Sequence, residues 1–239
     1  MSSVLSPVVW VTGASRGIGS SIGEAFASVG SHVALSARSA APLDRVAKKI
    51  AAADGIAIPV PCDVRSPGSI SRAHKIILSK LGAVDVLVNN AAITYFKRFD
   101  RTSLKDFDLL LGTNLRGPFL CTQAVLPAML KRKRGTIINI ISVSATTTFR
   151  DSSVYSASKA GLLAMTRCLR AEVREDGVRV IDVIPGAVDT AMWPDRVRKR
   201  HGVRMMRPAE VAEAVLSAYS LPDSILAEEL VLRPKLGDL

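Results

Sequence analysis

Several scarcities bound this sequence before any motif is read. Its 239 residues hold only three cysteines, Cys62, Cys121 and Cys168, odd in number, far apart and outside any C-x-x-C or Cys/His cluster. That argues against a disulfide framework or a zinc site; no metal is expected, and the three thiols are expected to be small core or near-core residues. No apolar run approaches the roughly 18 residues a membrane-spanning helix requires. The opening stretch MSSVLSPVVWVTG carries no charged segment ahead of its apolar part, so a soluble, cytoplasmic chain that does not engage a membrane is expected. Aromatic residues make up only 5%, and no recognition motif accompanies the basic charge, which disfavours nucleic acid as a partner. Acidic residues are also few, 21 against 32 Lys and Arg, leaving a net charge of +11. Such a balance favours anionic partners such as phosphorylated cofactors or acidic proteins. Much of the excess lies in KRKR at 131–134 and RVRKRHGVRMMR at 196–207. The first run reads as water-facing cations at a helix C-terminus, where the macrodipole favours positive charge.

What is present is an alternation. Apolar, β-branched runs at 8–12, 32–37, 56–62, 84–90, 136–142, 178–185 and 229–234 read as buried strands, and segments of helical length lie between them at 17–30, 42–54, 67–81, 103–131, 153–175 and 208–220. Nearly continuous apolar strands separated by helices predict a parallel sheet covered on both faces. The length fits one domain spanning 1–239, with no repeat or linker to divide it. The expected fold is a doubly wound, single-domain Rossmann fold of about seven strands, which places ligands at the carboxyl ends of the strands. Pro118 and Pro127 predict a kink or interruption in 103–131.

The first strand is followed by TGASRGIG, with Gly13, Gly17 and Gly19 opening the first helix. Glycines allow close backbone approach, and a helix N-terminus presents free N–H groups to a pyrophosphate. The second strand ends in Ala37 and Arg38, where NAD sites generally place an acid for the ribose hydroxyl. Arg38 and Arg16 could instead supply positive charge to a 2′-phosphate, which favours NADP(H). Further on, VYSASKAGL sets Tyr155 and Lys159 four positions apart, on one face of a helix.

Together these motifs resemble the short-chain dehydrogenase/reductase superfamily over residues 8 to about 190, and more loosely to the C-terminus. TGASRGIG fits the family's glycine loop, so Gly13, Ser15, Arg16, Gly17, Ile18 and Gly19 are expected around the cofactor. The resemblance implies that Asp63 and Val64 contact the adenine, and that NNAA at 89–92, with Asn90 and Ala91, continues the cofactor site although Ala92 replaces the family's glycine. It matches Asn114, Ser142, Tyr155 and Lys159 to the catalytic positions, and PGAVDT, with Pro185, Gly186, Val188 and Thr190, to the turn beside the nicotinamide.

In that scheme Tyr155 donates a proton to the carbonyl oxygen and Ser142 hydrogen-bonds it. Lys159 stabilises the phenolate and bonds the nicotinamide ribose, and Asn114 holds a water in a relay with Lys159. The stretch 190–208 is the expected substrate loop, with Met192 and Trp193 as an apolar wall beside Thr94, Ser144 and Phe149. The implied activity is NADPH-dependent carbonyl reduction, as in the family's 3-oxoacyl-[acyl-carrier-protein] reductases; a general diketone or quinone reductase and a non-catalytic NADP(H)-binding protein are the alternatives. The cations at 196–207 could receive an acyl carrier protein or coenzyme A. The ending EELVLRPKLGDL departs from the glycine-rich terminus of many such reductases, and a homodimer or homotetramer packed through 103–131 and 153–175 is implied.

Overall fold

Seven strands form one parallel sheet in the order β3-β2-β1-β4-β5-β6-β7 in a computed structural model that describes residues 6–237. In chain order they are β1 (Val8–Thr12), β2 (His32–Ser36), β3 (Ile56–Pro59), β4 (Val86–Asn89), β5 (Gly135–Ile140), β6 (Val178–Pro185) and β7 (Glu229–Leu232). The intervening helices are α1 (Gly17–Ser28), α2 (Ala40–Ala51), α3 (Pro67–Lys80), α4 (Leu104–Leu111), α5 (Gly117–Arg132), α6 (Ser153–Val173), α7 (Asp195–His201) and α8 (Pro208–Tyr219). The doubly wound expectation holds. The order reverses between β1 and β4, which opens a crevice at their carboxyl ends, where ligands bind in this architecture.

The two-residue period of the strands builds both layers. Val9, Val11, Val33, Leu35, Val86 and Val88 face one core with Ile22 and Phe26 of α1, Leu43 of α2 and Val211 of α8. Their neighbours Val8, Trp10, Ala34 and Leu87 face a second core with Ile77 of α3, Met129 of α5 and Val173 of α6. Each such side chain, fully buried, contributes about 1.5–3 kcal/mol. No helix among the described residues is long and apolar enough to cross a membrane. Residues 1–5, which open the stretch read for a leader, lie outside the described residues.

Three expectations are corrected. Strand β3 stops at Pro59 instead of reaching Cys62; proline cannot donate to a ladder and is tolerated because β3 is an edge strand. Strand β5 ends at Ile140, so Ser142 stands beyond the ladder at the start of a 3₁₀ turn, Val143–Ala145. The interruption expected in 103–131 is present, since the segment divides into α4, a π turn at Gly112–Arg116 and α5, but Pro127 sits inside α5. The ring of Pro118 removes one donor and crowds the carbonyl four residues back, that of Asn114, so the wider turn falls there. Finally, Cys168 is exposed on α6, whereas Cys62 and Cys121 are buried. In KRKR, Lys131, Lys133 and Arg134 face water at the end of α5, while half-buried Arg132 donates to the Val84 carbonyl at 2.9 Å.

Candidate active site

The crevice is set by cross-braces between the loops after β1 and β4. The Thr12 hydroxyl donates to the Val88 carbonyl (3.1 Å) and accepts from the N–H groups of Asn90 (3.0 Å) and Ala91 (3.1 Å). The Asn90 amide donates back to the carbonyls of Thr12 (2.9 Å) and Gly13 (3.2 Å). This close approach requires glycine. Gly13 has a φ of 66°, and a Cβ there would lie 2.8 Å from the Ala91 Cα; one on Gly19 would lie 2.5 Å from the Gly13 oxygen. Helix α1 begins with no side-chain cap and no acid in its first turn, leaving its N–H groups and dipole for an anion.

Beside this terminus runs a trough of about 420 Å³ lined by Gly13, Ser15, Arg16, Gly17, Ile18, Arg38, Asp63, Val64, Asn90, Ala91 and Thr190. Gly19 packs beneath it and is not part of its wall. Arg16 and Arg38 are exposed at its rim. Arg65 also lines the trough and is a residue the sequence reading missed. Its guanidinium grips Asp63 through Nε (3.1 Å) and Nη2 (2.7 Å), and this bonding holds the Asp63 carboxyl below its usual range. Only its position one residue after the Asp63-Val64 pair could have flagged it.

A second cavity of about 400 Å³ holds Ser142, Tyr155 and Lys159 together with Pro185, Gly186 and Val188. The two spaces share Ile18, Asn90, Ala92, Thr94, Thr190 and Met192 as walls, so the glycine loop opens directly onto the Ser142–Tyr155 pair. Ala92, the departure from the family pattern, stands at this junction. Helix α6 carries Tyr155 half-buried and Lys159 buried. The Lys159 ammonium donates to the Ile140 carbonyl at 2.7 Å, and burial brings its pKa down to about 7. Burial raises the Tyr155 pKa, against a lowering by its hydrogen bond with Ser142. Without cofactor, the pocket therefore favours the neutral tyrosine.

The side chain of Asn114 finds its partners within the protein. The π turn buries it outside both cavities, where its amide accepts from the Ile93 N–H (2.9 Å) and donates to the Ile93 carbonyl (2.9 Å) and the Ser158 hydroxyl (3.1 Å). Ser158 in turn donates to the Tyr155 carbonyl at 2.7 Å. Asn114 thus ties the loop after β4 to the helix that presents Tyr155.

The 190–208 stretch closes over the second cavity. Its ends are pinned together by Met206 N–H to the Ala187 carbonyl (3.0 Å) and Asp189 N–H to the Met206 carbonyl (2.9 Å), and between them α7 forms. Met192, Trp193, Thr94, Ser144 and Phe149 line the space. Phe96, another missed residue, stacks on Trp193 with ring centroids 5.3 Å apart and planes 19° from parallel. The lid cations are not all free: Arg198 pairs with Asp189 at 2.7 Å and Arg207 with Glu210 at 2.9 Å.

A strand-order reversal, an uncapped glycine-rich helix start and an adjoining serine–tyrosine–lysine cavity define the class of dinucleotide-dependent oxidoreductase folds. The sequence matches the short chain dehydrogenase family over residues 7–201, and the chain belongs to that family. It is 35% identical to a sepiapterin reductase of Chlorobaculum tepidum, with 97% of this chain and 98% of that protein covered. Among solved structures it is similar to a metagenomic short-chain oxidoreductase in complex with NADP, at a TM-score of 0.85 and 34% identity over 97% of this chain and 98% of the other. It is also similar to an alcohol dehydrogenase from Thermococcus sibiricus complexed with 5-hydroxy-NADP, at a TM-score of 0.87 and 31% identity over 96% and 97%.

Proposed function

We propose that this protein is an NADPH-dependent oxidoreductase that reduces a ketone to an alcohol. The observation that carries this reading is the shared wall between the two cavities, which puts Ser142 and Tyr155 beside the inner end of the glycine-loop trough. The residues fit the cofactor: the uncapped α1 terminus suits a pyrophosphate. Arg16 and Arg38, which have no hydrogen bond or ion pair to other described residues, suit a 2′-phosphate. NADP-bound structural relatives support the choice.

Bound NADPH supplies the hydride. Tyr155, kept protonated near neutrality by burial, donates its proton to the carbonyl oxygen. The Ser142 hydroxyl hydrogen-bonds that oxygen as charge develops. Lys159, when protonated, favours the phenolate left on Tyr155. Asn114 is a positioning residue that holds the start of α6.

The substrate we favour is a ketone on a planar apolar body, supported by the walls of Phe96, Phe149 and Trp193 and by the relative named a sepiapterin reductase. The stacked rings of Phe96 and Trp193 leave no gap for a third, so such a body would lie against them or part them. A 3-oxoacyl thioester on acyl carrier protein or coenzyme A is the second reading, favoured by Arg196, Lys199 and Arg200, which form no ion pair among the described residues. NADPH consumption against diketones, quinones and an acetoacetyl thioester, with NADH in parallel, tests both. Turnover preferring NADH, or none on any ketone, would overturn the proposal.

We further propose self-association through the face of α4 and α5, which bears half-exposed Phe107 and Phe119 beside a groove lined by Asp108, Leu115 and Arg116. One acid and one base on the same face suit a two-fold contact. Sedimentation as a stable monomer at micromolar concentration would refute it.

A further inference from the structure

The second cavity has a charge pattern that the carbonyl chemistry leaves unexplained. Its walls are largely apolar and include no carboxylate; the charged side chains in them are Lys159 at the inner end and Arg150. Lys159 is committed to the Ile140 carbonyl. Arg150 is exposed and has no hydrogen bond or ion pair among the described residues. Asp151, its neighbour in the chain, is not part of the cavity wall.

The segment carrying Arg150 is also fixed. Asp151 adopts a φ of 62°, uncommon for a residue with a side chain, and its carbonyl accepts from the Lys97 N–H at 2.8 Å. Next comes Ser152, which lines the same cavity, is only 3% exposed and does not cap α6. Its hydroxyl has no protein hydrogen-bond partner. A hydroxyl and a guanidinium, both without a partner and both in the wall of one cavity at the start of a 21-residue helix, form an anion-recognising corner. The planar fork of arginine suits a carboxylate, which it can bind through two parallel hydrogen bonds.

We propose that Arg150 and Ser152 form a carboxylate subsite and that the substrate class is a keto acid with an apolar body. Its carbonyl lies at Ser142 and Tyr155 and its carboxylate at Arg150, within a space of about 400 Å³. This deepens the carbonyl-reduction reading and rests on it for the role of the ketone, but the anion site is testable without turnover.

The probes are benzoylpropionate and its primary amide, matched in shape and differing in charge. Binding to the protein loaded with NADP⁺ is followed by quenching of tryptophan fluorescence, Trp193 being in the wall, and reduction is followed by NADPH consumption. The acid is expected to bind about tenfold or more tightly than the amide, the scale of a charged hydrogen bond. The preference should fall to about one in Arg150→Gln and be partly retained in Arg150→Lys. Equal binding of acid and amide by the unaltered protein, or a preference that survives Arg150→Gln, would overturn the subsite. A preference lost in Arg150→Gln, with neither ketone reduced, would uphold the subsite and count against carbonyl reduction instead.

Discussion

Replacing Lys159 with methionine should stabilise the protein near neutral pH while destroying its activity. The ammonium is only 2% exposed, and burial moves its pKa from 10.5 to about 7. At about 1.4 kcal/mol per unit, keeping this lysine in the fold costs on the order of 4 kcal/mol near pH 7. Methionine has similar length and no charge to desolvate, but it forfeits the hydrogen bond to the Ile140 carbonyl, worth about 1 kcal/mol. The net gain is about 3 kcal/mol, or roughly 6–12 °C in Tm for a chain of this size. Between the folded and unfolded pKa values the unfolded chain holds a proton that the folded one has released, so the parent protein gains stability as pH rises through that window. The variant lacks this term. Its advantage should be largest near pH 7 and almost gone by about pH 9.5. Paired thermal melts of cofactor-free protein at the two pH values measure this difference, since the other titrating groups are common to both proteins. A variant melting at or below the parent near pH 7, or an advantage that does not shrink with rising pH, would refute the reasoning.

Tyr155→Phe is expected to lower turnover by about a hundredfold or more, the scale of a lost general acid, while NADPH binding measured by fluorescence stays within a few-fold of the parent. Arg38→Ala should weaken NADPH by about tenfold or more and leave NADH nearly unaffected; equal losses for both cofactors would show that Arg38 does not read the 2′-phosphate. Asp182→Asn is expected to cost about 3–5 kcal/mol. It strips the nearest charge partner, 2.5 Å away, from buried Arg170, whose remaining partners Glu228 and Glu229 stand at 3.8 and 3.9 Å, and chemical denaturation would reveal a lesser role by a loss under about 1 kcal/mol.

Asp182 also marks where sequence reading stops. Asn89, Asn139 and Asp182 stand in register on β4, β5 and β6 and are linked side chain to side chain at 3.0 Å each, with Thr166 and Arg170 of α6 completing the set. Nothing local distinguishes these polar residues from others within apolar runs. The strand partners lie 43 and 50 residues apart and those on α6 lie 12 and 16 residues from Asp182, and only the sheet register and the packing of α6 bring them together.

The linear sequence by itself determined the parallel architecture, because buried strands and amphipathic helices each carry their own period. It also determined the glycine loop, where backbone conformation admits little else, and the Tyr155–Lys159 pair, because four positions on a helix are one turn. Tertiary structure alone decided that Asn114 would brace α6, since a proline four residues on shapes the turn that buries it. The same holds for Arg65 gripping Asp63, Phe96 lying against Trp193, and Arg150 facing a cavity without a carboxylate. Those outcomes depend on how separate loops meet at the carboxyl edge of the sheet, which no local pattern encodes.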